Sequence, residues 1–372
     1  MGVTHLSPVS LTIQSVCSRS LAELRRVKTL FPDISGDRIL FTPNFATRAE
    51  FEGAFKLFEG AVEPIHVTID NTWVLENWGE LFQGKSIFLR IDPGEDGHGH
   101  HAYVFTGSSS KFGIEIPEVR SEKFQNMIAK FNITVEGLHM HKGSGILDPT
   151  QWERSAKLLT TLRDVFPHLK YVDCGGGLGV PYKPEDPDLS LKDLNDCLGH
   201  VTTAHPDLEF WIEPGRYIVA QAGVLLVRVT QLKSKGPHRF VGVNAGMNTL
   251  IRPALYESYH HIVNLSRFED RYLAKASPKA ATLEDDLKQF TDLTHDFSHR
   301  LGSENKAESR PLRVDIVGPI CETGDFLGRG RVLPSDTQEG DVILVDNAGA
   351  YGYVMANNYN LRGPGPEQLI EF

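Results

Sequence analysis

One alternation constrains the fold of this chain more than any other feature. Over the first 215 of its 372 residues, short β-branched runs take turns with segments whose apolar residues recur at helical spacing. This is the pattern of β/α units wound around a parallel sheet. Seven runs read as strands: VSLTIQSV (9–16), DRILFTP (37–43), EPIHVTI (63–69), SIFLRID (86–92), TVEGLHMH (134–141), LKYVDCG (169–175) and LEFWIEP (208–214). Between them TRAEFEGAFKLFEG (47–60), SEKFQNMIAKF (121–131) and TQWERSAKLLTTLRDVF (150–166) read as amphipathic helices. A closed parallel barrel normally has eight strands, so one strand is expected to be missing, and its loss is expected to leave two unpaired edges.

After residue 220 the texture changes. GVLLVRVTQLKSKG (223–236), HRFVGVNAG (238–246), PLRVDIVGP (311–319) and GDVILVDNAGAYGYVMANNY (340–359) are β-runs separated by turns. Two domains are expected: a β/α barrel over 1–220 and a β domain over 221–372. Residues 264–310, charged and mostly polar, read as an exposed helical insertion without a catalytic role.

The polar and glycine-rich clusters follow strand ends, the edge on which barrels build their sites. They are RIDPGEDGHGHH (90–101), HKGSG (141–145), CGGGLGVPY (174–182) and EPGR (213–216). Three consecutive glycines, Gly175, Gly176 and Gly177, let backbone N–H groups approach an anion that any Cβ would block, and a phosphate is the natural guest. In EPGR, Arg216 suits phosphate or carboxylate, and Glu213 could hold a protonated ring nitrogen; a plain salt bridge is the alternative.

In EGLHMHKGSGI (136–146), strand alternation puts His139 and His141 on one side, so both are expected to face the barrel lumen. Two such histidines suit a divalent metal, as in barrel amidohydrolases, but that class also needs a late-strand aspartate, where this chain has EPGR. The other use of the stretch is a flat His141 ring stacked on a cofactor, with Ser144 and Gly143 donating to its phosphate. Lys142 falls out of step with the lumen. GHGHH (97–101) reads as a solvated loop. In the β domain, Arg252 could hold a carboxylate, Glu322 an ammonium, and Cys321 could donate a proton, all from loop-like settings.

The net charge of −10 argues against nucleic acid or an anionic membrane as the main partner. No apolar run approaches 18 residues and the start lacks a signal-peptide layout, so the default expectation is a cytoplasmic protein. Cys17, Cys174, Cys197 and Cys321 show no CxxC pairing; neither a disulfide framework nor a zinc knuckle is indicated, and three of the four are expected to be buried thiols.

Together these motifs resemble the barrel-type pyridoxal phosphate decarboxylases of basic amino acids, most closely the diaminopimelate decarboxylase family. EPGRYIVAQAGVLLVRV, GMNTLIRPALY, GPICETGDFL and DNAGAYGYVMANNYN carry the similarity, which runs over about residues 12–372. RIDPGEDGHGHHAYVFTG followed by SKFGI is similar to the form fused to an aspartate kinase. The resemblance implies an alanine-racemase-like (β/α)8 TIM barrel followed by a C-terminal β-barrel or sheet domain, with pyridoxal 5′-phosphate as cofactor and no metal. It also implies that His141 stacks on the pyridine ring and Glu213 pairs with its nitrogen, while Ser144, Gly175, Gly176, Gly177, Gly215, Arg216 and Tyr351 surround the phosphate. Arg252 and Tyr256 would bind the carboxylate at the reacting end of the substrate, and Glu322 would read the distal end. Cys321 would return the proton, the last two arriving from the partner subunit of a head-to-tail homodimer. The glutamate of CETGD favours diaminopimelate, giving L-lysine and CO2; ornithine, lysine or arginine are the alternative substrates. The family carries its cofactor lysine in a Tyr-x-x-Lys-Ala-Asn type motif on the first barrel strand, and these 372 residues contain none. An N-terminally incomplete chain is therefore expected, with a non-catalytic relative as the alternative.

Overall fold

The computed structural model describes residues 2–7, 10–94, 110–267 and 312–370. GHGHH and the insertion beyond residue 267 lie outside them. The chain divides into two compact units, Met1–Val180 with Asp188–Tyr217, and Pro181–Pro187 with Ile218–Phe372.

The first unit is the β/α barrel that the alternation predicts. Its strands are β1 (Gly2–Ser7), β2 (Ser10–Ser18), β3 (Ile39–Phe41), β4 (His66–Ile69), β5 (Ser86–Asp92), the short β6 (Ile114–Glu115), β7 (Thr134–His139), β8 (Tyr171–Asp173) and β9 (Glu209–Ile212). Each of the seven expected runs is present, and successive pairings from β2 through β3, β4, β5, β7 and β8 to β9 are parallel.

One expectation is corrected. The two edges are not left unpaired: β1 runs antiparallel to both neighbours, with Thr4 opposite Ile13 on β2 and opposite Ile212 on β9. Seven parallel strands and one reversed strand thus satisfy the backbone groups that an open sheet would expose.

The helices α1 (Leu21–Leu30), α2 (Arg48–Leu57), α3 (Thr72–Trp78), α4 (Ile116–Val119), α5 (Glu122–Lys130), α6 (Thr150–Thr160), α7 (Leu191–Ala204) and α8 (Gly215–Val219) fill the connections. Their starts are chemically marked. Ser20, Ser121 and Ser190 each accept a backbone N–H of the first turn, and Thr47 with Glu50 forms a capping box. The buried faces of these helices, Leu24, Phe51, Phe124, Trp152 and Leu194 among them, pack on the strands in one continuous core. Inside the barrel lies a separate smaller cluster of Cys17, Leu40, Phe88 and Trp211, where the Phe88 ring stacks on Tyr171 and Trp211. Such a lumen is a filled core rather than a pore.

The second unit is a six-stranded sheet of β10 (Leu225–Lys235), β11 (His238–Val243), β12 (Ile262–Asn264), β13 (Leu312–Val317), β14 (Phe326–Leu333) and β15 (Val342–Val345), ordered β12-β15-β10-β11-β13-β14. All pairings are antiparallel except β11 with β13. Val227, Val229, Val241, Val243, Val314 and Ile316 alternate inward to a core of their own. The outermost strands approach each other, since a Cβ on Gly328 of β14 would meet Ile262 of β12 at 2.8 Å, and the sheet is a nearly closed barrel. Residues 264–267, expected to open a helical insertion, are the end of β12 and a single 3-10 turn.

Candidate functional site

At the C-terminal ends of the first unit's strands, four charged or titratable side chains converge. Glu213 follows β9 and is almost fully buried; the Nη2 of Arg19, just past β2, donates to its Oε2 at 2.7 Å. His139, the last residue of β7, is wholly buried with Nε2 3.5 Å from the same oxygen, and Asp173 ends β8 without exposure. Burial alone would raise the carboxyl of Glu213, but Arg19 and then His139 outweigh it and hold the group well below the usual range. Asp173 goes the other way, pushed well above the usual range by burial and then by the charge on Glu213. The two acids are therefore pushed in opposite directions within one dry site, so that the first proton lost belongs to Glu213 rather than Asp173.

Beside this pair the strand ends continue as a second, backbone-built layer. The glycine run after β8 lies against the loop after β7 so closely that any Cβ would collide. It would meet the Met140 carbonyl at 2.3 Å from Gly175, the Glu213 carbonyl at 2.4 Å from Gly176, and the Gly143 carbonyl at 2.3 Å from Gly177, which also adopts φ +92°. The Gly176 N–H donates to His141 Nδ1 at 3.1 Å, which makes His141 a neutral ring with its proton on Nε2. Burial, and after it the charge of Arg90, lowers its pKa to about 3, and burial lowers that of His139 to about 4. The Gly176 carbonyl accepts from the indole of buried Trp152 at 3.2 Å. Across the cradle, Arg216 Nη2 donates to Ser144 Oγ at 2.9 Å.

The two histidines do not share a setting, a second correction. β7 ends at His139, so the alternation stops there; His139 faces the carboxylates, whereas His141 sits half-buried in the loop against the glycines. The grouping of described residues with metal-ligand chemistry is His139, Asp173 and Glu213, with ligand atoms within 4.8 Å of one another, and His141 is outside it. Lys142 is likewise half-buried in the loop. Of the cysteines, Cys17 and Cys174 are buried, Cys197 is intermediate and Cys321 is exposed.

Whether a pyridoxal phosphate fits the first unit can be tested on its own atoms. Glu213 Oε1 is buried with no hydrogen-bond partner, and the glycine cradle leaves room for nothing larger than hydrogen on its Cα atoms. A ring nitrogen would answer the orphaned oxygen. The Gly175 and Gly176 N–H groups are engaged by Asp173 Oδ1 and His141 Nδ1, so a phosphate would be met first by the Ser144 hydroxyl and the Arg216 guanidinium, and that donor set fits the group.

In the second unit Arg252 is not on a loop; it opens α9 (Arg252–Tyr256). Its buried guanidinium donates through Nη1 to Tyr182 Oη and to His260 Nε2, both at 3.0 Å, while Nε is buried without a partner. His260 Nδ1 pairs with the Asp346 carbonyl at 2.8 Å, which leaves Nε2 as the acceptor. Tyr256, at the end of the same helix, is half-buried. Tyr351 occupies a left-handed conformation, φ +60°, in the loop after β15. Cys321 and Glu322 are exposed on the loop between β13 and β14, which Asp325 organises: its buried carboxylate accepts from Met247 N at 2.6 Å and Ile320 N at 2.7 Å.

Sequence reasoning missed Arg19, Asp173, His260 and Asp325. Arg19 carries the one available signal, a cation directly after a strand end. Asp173 lay inside the quoted DCGGG motif, but the glycines drew the inference. His260 and Asp325 act by hydrogen-bonding partners 86 and 78 residues away, which no local pattern encodes.

Comparison with known proteins gives the setting. Residues 15–220 match the model of the pyridoxal-dependent decarboxylase family's pyridoxal-binding domain. Diaminopimelate decarboxylase of Aquifex aeolicus is 35% identical over 298 residues, 79% of this chain and 61% of that protein. The enzyme of Methanothermobacter thermautotrophicus is 33% identical over 355 residues, 90% of this chain and 69% of its own length. The chain thus spans about two thirds of these relatives. Among solved structures, diaminopimelate decarboxylase from Helicobacter pylori complexed with L-lysine superposes with a TM-score of 0.70 at 26% identity, covering 93% of this chain and 76% of that one. With the barrel, the glycine cradle and these matches in hand, the chain belongs to the pyridoxal-dependent decarboxylases of the ornithine, arginine and diaminopimelate group.

Proposed function

We propose that the chain serves the pyridoxal phosphate-dependent decarboxylation of meso-2,6-diaminopimelate to L-lysine and CO2, as a homodimer with shared sites. The observation that carries the reading is the strand-end layer of the first unit: a backbone cradle closed to side chains, next to a buried carboxylate with one orphaned oxygen. The similarity to diaminopimelate decarboxylases and the glutamate of CETGD support the substrate.

Ser144, Gly175, Gly176, Gly177, Gly215, Arg216 and Tyr351 would hold the phosphate, using N–H groups, a hydroxyl and a guanidinium. His141, neutral because Gly176 donates to it and burial disfavours its cation, would lie flat on the ring without adding charge. Glu213, ionised, would keep the ring nitrogen protonated. Bound there, pyridoxal phosphate supplies an aldehyde for the substrate amine and an electron sink for the departing CO2. Arg252 and Tyr256 would take the substrate carboxylate at the reacting end, Glu322 the distal ammonium, and Cys321 would return the proton. The buried setting of Glu213 keeps water from competing for its charge.

The test is calorimetry on the chain loaded with pyridoxal phosphate. Tighter binding of diaminopimelate and L-lysine than of ornithine supports the reading. Equal affinities would move the substrate to another basic amino acid, and failure to bind the cofactor would remove the reading. Borohydride treatment of the loaded chain is expected to leave no stoichiometric cofactor adduct on a single lysine; recovery of one would show that the chain supplies its own imine-forming lysine.

A further inference from the structure

Cys321 and Glu322 are exposed, yet their side chains are not loose. Asn360, which follows the loop after β15, makes a reciprocal pair with Cys321: its Oδ1 accepts from the Cys321 backbone N–H at 3.0 Å, and its Nδ2 donates to Sγ at 3.1 Å. The preceding residue, Tyr359, donates its hydroxyl to Glu322 Oε1 at 2.5 Å and lies 4.0 Å from the same sulfur. Asn360 sits in the left-handed region at φ +55°, a conformation that asparagine tolerates better than most residues. Consecutive residues of one segment therefore grip consecutive residues of another, about 38 positions earlier in the chain, with three different hydrogen-bonding groups.

We propose that Asn360 and Tyr359 are positioning residues: Asn360 fixes the thiol of Cys321 through a two-point clamp, and Tyr359 fixes the carboxylate of Glu322 beside it, so the pair is preset as one unit. The importance of that unit rests on the function proposed above, but the clamp does not depend on it. Ordering two exposed side chains before they engage a substrate removes an entropic cost from binding. The Nδ2 donor on Sγ is the contact that a substitution at Asn360 removes from the sulfur. The titratable groups facing the sulfur are Glu322 and Tyr359, and the glutamate is what holds the phenol proton, pushing Tyr359 up to about 12.

The experiment is the pH dependence of iodoacetamide alkylation of Cys321, read by peptide mass spectrometry on the full chain. Asn360→Asp keeps the size and the left-handed tolerance but puts an acceptor where the donor was. The clamp predicts that this variant moves the midpoint of the rate profile up by roughly half to one pH unit. Asn360→Ala should move it up by less, and Tyr359→Phe by least. A merely structural or shielding role would change the plateau rate or the melting temperature and leave the midpoint in place. An unchanged or lowered midpoint in Asn360→Asp overturns the proposal. Should a variant fail to fold, the side-chain amide resonances of Asn360 in the unsubstituted chain decide: they must titrate with the alkylation midpoint, and their indifference to pH there refutes the clamp. Diaminopimelate affinity, measured separately, reports on the functional reading alone.

Discussion

The two groups of site residues are held in opposite ways. In the first unit His139, Asp173 and Glu213 are buried at the strand ends beside a partly exposed Arg19, and desolvation and their mutual charges shift their titration. In the second unit Cys321, Glu322, Tyr359 and Asn360 are exposed, and geometry alone holds them, through hydrogen bonds between two loops. Buried charge is expensive to leave unanswered, so the first group should be sensitive to any single change. Water can replace lost partners in the second, so its changes should alter reactivity with little effect on stability.

Removing Arg19 should have the largest effect. Arg19→Met leaves Glu213 buried beside an unprotonated histidine, and a loss of about 3–5 kcal/mol is expected in urea unfolding. In a Glu213→Gln background the same change should cost far less; equal losses in both backgrounds would break the claim that the pair is coupled. The pH dependence has a definite sign. Glu213 is held below its ordinary value when folded, so its contribution is present above the unfolded pKa and fades as pH falls through the folded one. Arg19→Met should invert this, making stability fall as pH rises.

Next comes the cradle. Gly177→Ala forces a Cβ to within 2.3 Å of the Gly143 carbonyl at φ +92°, and about 2–3 kcal/mol of destabilisation is expected in thermal melts. An unaffected melt would mean that the two loops separate easily. A smaller effect belongs to Asp70, directly past the end of β4, which burial raises to about 6. A carboxyl raised on folding binds its proton more readily in the native state, so it costs stability above that value and the cost fades as pH falls from about 6 toward 4. Asp70→Asn should flatten the stability profile in that window and leave it alone elsewhere. The least effect is expected from Tyr359→Phe, whose thermal melt should coincide with that of the unsubstituted chain because the residue is exposed.

The contrast also explains what could be read from the sequence. The seven parallel strands were legible because period-2 runs and helical stripes are local, and the glycine cradle because three glycines after a strand admit close backbone approach, although the same run also suits a tight turn. The eighth position was not: that Gly2–Ser7 reverses direction to cover both edges depends on pairing with β2 and β9, not on its own pattern. His139 and His141 were both found, but placing them together assumed that β7 ran two residues further than it does. Arg19 was overlooked because its partner is 194 residues away.

The central claim is that the first unit binds pyridoxal phosphate by its strand ends. Trp152, whose indole donates to Gly176, sits on the cradle and reports its occupancy by quenching. Titration of the chain with pyridoxal phosphate should quench its fluorescence saturably, inorganic phosphate should compete, and Arg216→Ala should weaken binding about tenfold or more. Quenching that does not saturate, or an affinity untouched by Arg216→Ala, would contradict the account.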